Sequence, residues 1–376
     1  MEQIIKEGNS NIYGELKKVV SADMDVFYNP VMQVNRDFTL LILASIDNTN
    51  MKIADPLAGS GIRTLRILDE LPEKITTNRK GEEQKISQIF VNDLKKNYEK
   101  YFKKNIDLNN LNETQKNKIS IFNNDARTFL IKNRPFDYID VDPFGTPNPF
   151  LDSALQAIRN RGILAITATD TSSLCGSYPS ACKRKYYATP LRNEWMHEFG
   201  ARILIMKTQL IGAQYDKALI PVFTYAKDHY MKIFFRCEQG KSKVDKILFE
   251  HKTINFKNKP YGPIWTGPLW DAQIVNNMMK ISNQESNNTK IQLSKETKKI
   301  LSTINEEKNV DVLFFHDVHK LSEQKKTGNI PKFEKIIDSL KTKGFCASRT
   351  HFSLTGIKTN ATKEEFEKIF DELNEK

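Results

Sequence analysis

Asp142-Pro143-Phe144-Gly145 follows the strongly apolar run Phe136-Asp137-Tyr138-Ile139-Asp140-Val141. An aspartate delivered by a strand to a sheet edge, then a proline and an aromatic ring, suits activation of an aromatic exocyclic amine. The lone pair of such a nitrogen is delocalised into its ring and attacks poorly. Hydrogen bonds from its two N–H groups, to the Asp142 carboxylate and to a backbone carbonyl beside Pro143, localise the pair and stabilise the charge that develops. Proline sets the direction of that carbonyl, and Phe144 offers a face for base stacking. Asp-Pro also starts ordinary turns, and from these four residues alone the two readings stand level.

A second set of residues sits on strand-turn-helix junctions. Asp55 closes Lys52-Ile53-Ala54, and Ala58-Gly59-Ser60-Gly61 turns into a helix carrying Arg63. Gly59 and Gly61 permit a tight turn with a ligand against the backbone. A dinucleotide site wants G-x-G-x-x-G facing a pyrophosphate, but Thr64 stands where the third glycine belongs. Asp55 before the turn favours a cation instead, and S-adenosyl-L-methionine carries an ammonium and a sulfonium. Asp93 ends the next strand, where an acid accepts from both ribose hydroxyls. Asp125-Ala126 ends the third, where a carboxylate meets the adenine amine and a backbone amide its ring nitrogen. Each aspartate singly reads as a helix cap; three acids closing three successive strands point to one cofactor. Near the N-terminus, Phe27-Tyr28-Asn29-Pro30 precedes Asn35-Arg36-Asp37. Phe27 suits a second jaw of a base clamp or a core aromatic. Arg36 suits bidentate pairing with the cofactor carboxylate, and Arg63 the same carboxylate or a phosphate.

Only a parallel sheet brings these positions together. Strands at 52–57, 89–94, 119–126, 136–145 and 162–170 alternate with helical segments at 62–71, 95–110, 127–133 and 151–160 and a long helical region at 190–214. That alternation predicts an α/β fold, a doubly wound Rossmann-like sheet of the class I methyltransferase type, with ligands at the carboxyl ends of its strands. From residue 221 to 238 the text reads as paired antiparallel strands. Three helices at 294–306, 317–325 and 331–343, then strands at 344–351 and 355–359, suggest a winged-helix-like part in a C-terminal α+β domain. The expected division is a methyltransferase domain at 1–222 and a C-terminal α+β domain at 223–376 that binds the substrate nucleic acid.

Bulk composition narrows the function class. The chain has 376 residues, 39% apolar and 27% charged, which suits two packed domains with a charged surface. No apolar run is long enough for a membrane span, and the N-terminus lacks a signal-peptide core, so a cytoplasmic protein is expected. Cys175, Cys182, Cys237 and Cys346 form no C-x-x-C pair, so neither a metal site nor a disulfide framework is expected. A formal net charge of +11 leans toward a polyanionic partner.

Together the motifs resemble those of the archaeal tRNA guanine-26 N2-methyl/dimethyltransferases over nearly the whole chain. The matching phrases are VFYNPVMQVNRD (26–37), DPLAGSGIR (55–63), VNDL (91–94), NNDA (123–126) and IDVDPFGTPNPFLDSAL (139–155). GILAITATDTSSLCGSYPSACKRKYYATPLRNE (162–194), KDHYMKIF (227–234), YGPIWTGPLWD (261–271) and SRTHFSLTGIKT (348–359) match as well. The resemblance implies that Arg36, Arg63, Asp93, Asp125 and Ala126 contact S-adenosyl-L-methionine. It implies that Asp142 and Pro143-Phe144-Gly145 handle the guanine amine, with Phe27 also at the catalytic site. It leaves open the balance of mono- and dimethylation and activity at neighbouring positions.

Lys183-Arg184-Lys185-Tyr186-Tyr187 interleaves cations and aromatics, as phosphate contact with base stacking requires. Arg192, Arg349, His351 and Lys358 are weaker tRNA-binding candidates. Cys175 and Cys182 read as structural, since methyl transfer to an amine needs no enzyme thiol. A monomer acting on tRNA is expected. The competing readings are a ribosomal or other RNA guanine-N2 or adenine-N6 methyltransferase, and a non-catalytic RNA-binding protein with a vestigial sheet.

Overall fold

The computed structural model describes residues 3–14, 28–77, 81–283, 290–327 and 329–374. A hairpin of β1 (Gln3–Glu7) and β2 (Ser10–Gly14) precedes α1 (Gln33–Ser45). Next come β3 (Met51–Asp55), α2 (Ile62–Glu70), a small hairpin of β4 (Lys74–Thr77) and β5 (Gly81–Gln84), then β6 (Ile86–Asn92). α3 (Tyr98–Asp107), α4 (Glu113–Lys116), β7 (Ile119–Phe122), α5 (Ala126–Asn133) and β8 (Phe136–Val141) follow. α6 (Asn148–Ala157), β9 (Ile158–Ala168), α7 (Thr171–Leu174) and α8 (Pro179–Tyr186) lead into α9 (Met196–Ala213), β10 (Lys217–Lys227) and β11 (Tyr230–Gln239). Residues 190–195, expected within the long helix, precede it as irregular chain.

Seven strands form one sheet in the order β10-β11-β9-β8-β3-β6-β7. β9, β8, β3, β6 and β7 are mutually parallel. β11 runs antiparallel between β9 and β10. The order reverses between β3 and β8, which is where an open sheet of this kind leaves a crevice at its carboxyl edge.

The β10–β11 hairpin is therefore part of the first domain's sheet, and the expected division after residue 222 falls inside β10. The physical reason lies in the strands themselves. β10 and β11 carry near-continuous buried runs, from Val222 to Tyr225 and from Tyr230 to Phe235. Such strands need cover on both faces. The central sheet provides it: Phe38 of α1 packs on Phe223 and Tyr225 with ring centroids 4.8 and 4.6 Å apart.

One glycine decides the geometry of the first turn. Gly61 caps α2 with φ +77°, and a Cβ there would lie 2.1 Å from the Phe102 ring of α3. Any side chain would push α3 off the turn.

The rest of the chain holds α10 (Lys241–Phe249), β12 (His251–Phe256), β13 (Lys259–Trp265), α11 (Ala272–Asn283) and α12 (Lys295–Glu307). It ends with β14 (His316–Asp317), α13 (Val318–Lys325), α14 (Phe333–Thr342), β15 (Ala347–Thr350), β16 (Ser353–Thr359) and α15 (Lys363–Asn374). The three helices and the β15–β16 wing stand as expected. β14 adds a third strand beside β16, giving the order β14-β16-β15. Val318, Ile336, Leu340, Ile357, Phe366 and Phe370 form the core of this unit. Trp195 Nε1 donates to Phe315 O at 2.8 Å, and Lys358 Nζ lies 3.2 Å from Glu198 Oε1, tying it to α9. No helix among the described residues is long and apolar enough to cross a membrane. Nor is any group of three or more His, Cys, Asp or Glu among them placed to hold a metal ion.

Candidate active site

The carboxyl ends of β3 and β8 lie side by side, because Ile53 and Ala54 pair with Tyr138 and Ile139. Asp55 and the glycine turn stand at one end, Asp142 at the other. Asp55 is buried, with a hydrogen bond of 3.2 Å from Thr64 Oγ1. Burial pushes its carboxyl up to about 7, since Arg63 and Thr64 only partly offset the desolvation and repulsion from Asp140 and Asp142. A buried carboxyl so poorly matched suits a cationic ligand.

Gly59 N donates to Asp93 Oδ2 at 2.8 Å, and Lys95 N to Asp93 Oδ1 at 2.9 Å, so the carboxylate that ends β6 is braced against the turn. A small recess of about 10 Å³ beside Gly59 and Ser60 is lined by Lys95, Tyr98, Tyr101, Phe102 and Asn105. Lys95 Nζ and Tyr98 OH are buried there without a hydrogen-bond partner among the described residues. Asp125 behaves as a helix cap: it accepts from Arg127 N at 3.0 Å and Thr128 N at 3.2 Å. The bond from the Arg127 side chain holds its carboxyl below the usual range. Ala126 is buried at the start of α5.

Asp142 is reached by way of Arg63. The Arg63 guanidinium is buried and donates through NH1 to Asn35 Oδ1 at 3.0 Å and Thr39 Oγ1 at 2.8 Å. NH1 also lies 3.0 Å from Asp140 Oδ2, while NH2 contacts Asp142 Oδ2. Asp140 Oδ2 accepts from Tyr138 OH at 2.7 Å. Asp140 Oδ1 faces Lys232 Nζ at 2.5 Å, with both side chains fully buried. Desolvation raises the Asp140 carboxyl, but Arg63 and Lys232 outweigh it and hold it below its ordinary range.

The turn after Asp142 is pinned to the end of β9. Gly145 N donates to Thr169 Oγ1 at 2.6 Å, and Thr169 N donates to Gly145 O at 2.9 Å. Pro143 is buried while the Phe144 ring is 55% exposed beside it. Tyr186 OH donates to Asp170 Oδ1 at 2.6 Å and accepts from Thr146 Oγ1 at 3.0 Å, which docks α8 against the same turn. Lys183, Arg184, Lys185 and Tyr187 remain exposed, and Lys207 Nζ lies 4.2 Å from the Tyr187 ring centroid.

A family model described as N2,N2-dimethylguanosine tRNA methyltransferase matches residues 8–257 and 249–371. The chain belongs to that family. The tRNA (guanine(26)-N(2)/guanine(27)-N(2))-dimethyltransferase of Aquifex aeolicus is 38% identical, covering 99% of this chain and 96% of its own. The tRNA (guanine(26)-N(2))-dimethyltransferase of Pyrococcus abyssi is 39% identical over 92% of each. Among solved structures, Trm1 from Pyrococcus horikoshii in complex with S-adenosyl-L-methionine superposes with a TM-score of 0.83 at 33% identity. That match covers 98% of this chain and 99% of the other.

The family's cofactor fits what the site presents. The under-compensated Asp55 and the positive-φ glycines of the turn suit a cationic ligand held close to the backbone at this edge. Asp142, Arg63, Asp55, Gly59, Gly61 and Asp93 stand together at this edge. Arg36 stands apart from any free-ligand role: Nε donates to Glu7 Oε1 at 2.7 Å, NH2 lies 2.5 Å from Glu7 Oε2, and NH2 also donates to Asn29 O at 2.9 Å. Burial raises the Glu7 carboxyl, but Arg36 and Arg66 hold it at about 2. Phe27 lies outside the described residues.

Three of the RNA-facing expectations need correcting. Tyr186 is 0% exposed and cannot stack on a base; it is the peg that holds α8. Lys358 is buried among Glu198, Glu307 and the Trp270 ring. His351 pairs through Nδ1 with Glu307 at 2.7 Å. Both belong to a buried network and not to a phosphate surface. Arg349 is half-buried over the Phe333 ring, 3.7 Å from its centroid, with NH2 on Leu354 O. Arg192 is exposed. Sequence reasoning passed over Asp140 and Lys232. The signal was there in each case: a charged residue inside an apolar strand, with Asp140 two residues before Asp142 and so on the same face.

Proposed function

We propose that this chain transfers one or two methyl groups from S-adenosyl-L-methionine to the N2 amine of guanine 26 in tRNA. One observation carries the reading: the Asp142 side chain, 16% exposed, stands at the carboxyl end of β8 beside the β3 glycine turn, with Oδ2 on Arg63 and the exposed Phe144 two residues on. The names of the relatives from Aquifex aeolicus and Pyrococcus abyssi agree with it.

The cofactor supplies an electrophilic methyl on a sulfonium. Asp55, Gly59, Gly61, Asp93, Asp125 and Ala126 hold it at the ends of β3, β6 and β7, while Arg63 stays on Asp140 and Asp142 and Arg36 on Glu7. Asp142 Oδ1 has no partner among the described residues and accepts one N–H of the guanine amine. The backbone carbonyl beside Pro143 accepts the other. Both bonds localise the nitrogen lone pair and favour the cationic nitrogen as the new bond forms. Phe144 stacks on the base, and the Gly145–Thr169 pair keeps ring and carbonyl in register. Lys183, Arg184, Lys185, Arg192 and Arg349 meet tRNA phosphates. The protein works in the cytoplasm as a monomer.

The test is nucleoside mass spectrometry of unmodified tRNA after incubation with protein and cofactor. N2-methyl- and N2,N2-dimethylguanosine are expected, and both vanish when guanine 26 is replaced. Asp142→Ala is expected to abolish turnover and leave cofactor affinity intact. Methylated adenosine, or full turnover by Asp142→Ala, overturns the reading.

A further inference from the structure

Lys232 lies in the middle of the apolar run Tyr230-Met231-Lys232-Ile233-Phe234-Phe235 and is wholly excluded from solvent. Its partner is Asp140, equally buried, at 2.5 Å. Replacing a buried ion pair by apolar side chains is often neutral or stabilising, so the fold's stability alone does not account for the pair. What the pair does supply is direction.

Asp140 and Asp142 share one face of β8, and Arg63 spans them, with NH1 3.0 Å from Asp140 Oδ2 and NH2 on Asp142 Oδ2. Tyr138 OH at 2.7 Å and Thr39 Oγ1 at 3.1 Å also bond Asp140 Oδ2. Charges therefore alternate from the sheet interior to the site's edge: Lys232 positive, Asp140 negative, Arg63 positive, Asp142 negative. The Lys232–Asp140 link is solvent-free and the Asp140–Arg63 link is buried, so a displaced charge has little water to fall back on.

We propose that Lys232 and Asp140 are positioning residues for the methyl transfer. They fix the Arg63 guanidinium so that its NH2 holds Asp142 Oδ2, which leaves Oδ1 turned toward the amine of the target base. The inference rests on the reading of Asp142 as acceptor for that amine. With Lys232 neutral, Asp140 has one cation where it had two. It draws Arg63 inward, and Asp142 loses its hold.

Lys232→Met keeps most of the length of the side chain and removes its charge. Its single-turnover rate is expected to fall roughly ten- to hundredfold, the scale of a small misplacement at a reacting centre. The cofactor Kd and the KM for tRNA stay near their wild-type values. Lys232→Arg, which keeps the charge, recovers part of the rate. Should Lys232→Met fold poorly by circular dichroism, Tyr138→Phe removes one hydrogen bond to Asp140 and no charge. It is expected to lower the same rate several-fold with both binding constants unmoved. A folded variant of either kind with the wild-type single-turnover rate overturns the proposal. Asp142→Ala measured alongside separates the two levels. Activity in Asp142→Ala removes the acceptor reading and the proposal with it. An inactive Asp142→Ala beside an undiminished Lys232→Met removes the positioning role alone.

Discussion

Replacing Asp55 by asparagine keeps the shape of the side chain and its contact with Thr64 while removing a titratable charge. In the folded chain burial lifts this carboxyl from an ordinary 3.8 to about 7. The groups facing it are Arg63 and Thr64 of α2, Asp140 and Asp142 of β8, and Tyr98 of α3. The folded chain thus binds the Asp55 proton more tightly than the unfolded one. The stability this group contributes is full below the unfolded value and is lost as pH rises through 7. At about 1.4 kcal/mol per pH unit the whole loss is on the order of 4 kcal/mol, of which roughly 2–3 kcal/mol falls between about pH 5 and pH 7.

Asp55→Asn removes that slope. Urea unfolding of the cofactor-free protein at about pH 5, 6, 7 and 8 is expected to show the variant gaining on the wild type as pH rises. Cofactor binding is the second readout. A cation beside Asp55 favours its ionised form, so at about pH 6 the wild type releases a proton on binding and the variant does not. Calorimetry in buffers of different ionisation enthalpy counts that proton. Two stability curves that stay parallel from about pH 5 to pH 8 would refute the reasoning.

Reversing the charge of Lys183 and Arg184 together is expected to raise the KM for tRNA and to reduce the salt dependence of binding by about one power of salt per lost phosphate contact. Cofactor affinity is unchanged, and an unaltered salt slope counts against the α8 surface. Tyr186→Phe removes the donor to Asp170 and the acceptor for Thr146 and is expected to cost about 1.5–3 kcal/mol in thermal unfolding. It also raises the KM for tRNA, because α8 loses its peg; an unchanged midpoint together with an unchanged KM contradicts the role given to Tyr186.

Strand-end chemistry is local and was legible from the residues alone. A glycine turn between Asp55 and Arg63, acids at 93 and 125, and Asp-Pro-Phe at 142–144 are written in order along the chain, and alternating strands and helices bring their ends to one edge. The winged-helix part was legible for the same reason, since its helices and wing follow one another in sequence. The place of the β10–β11 hairpin was not. Its strands are apolar on both faces whichever domain they join, and only packing against β9 and α1 assigns them to the first sheet.

Burial was the other decision left to the tertiary structure. Tyr186 and Tyr187 are adjacent aromatics in one basic run, yet the first is a core peg and the second faces solvent. Helix phase against a neighbouring turn sets that difference, and composition carries no record of it. Likewise Lys232 and Asp140 stand 92 residues apart and meet only because β11 and β8 flank β9. Sequence supplies such charges one at a time. Whether they are solvated or locked into an alternating chain depends on which strands become neighbours, since removal of water is what makes each charge demand its partner.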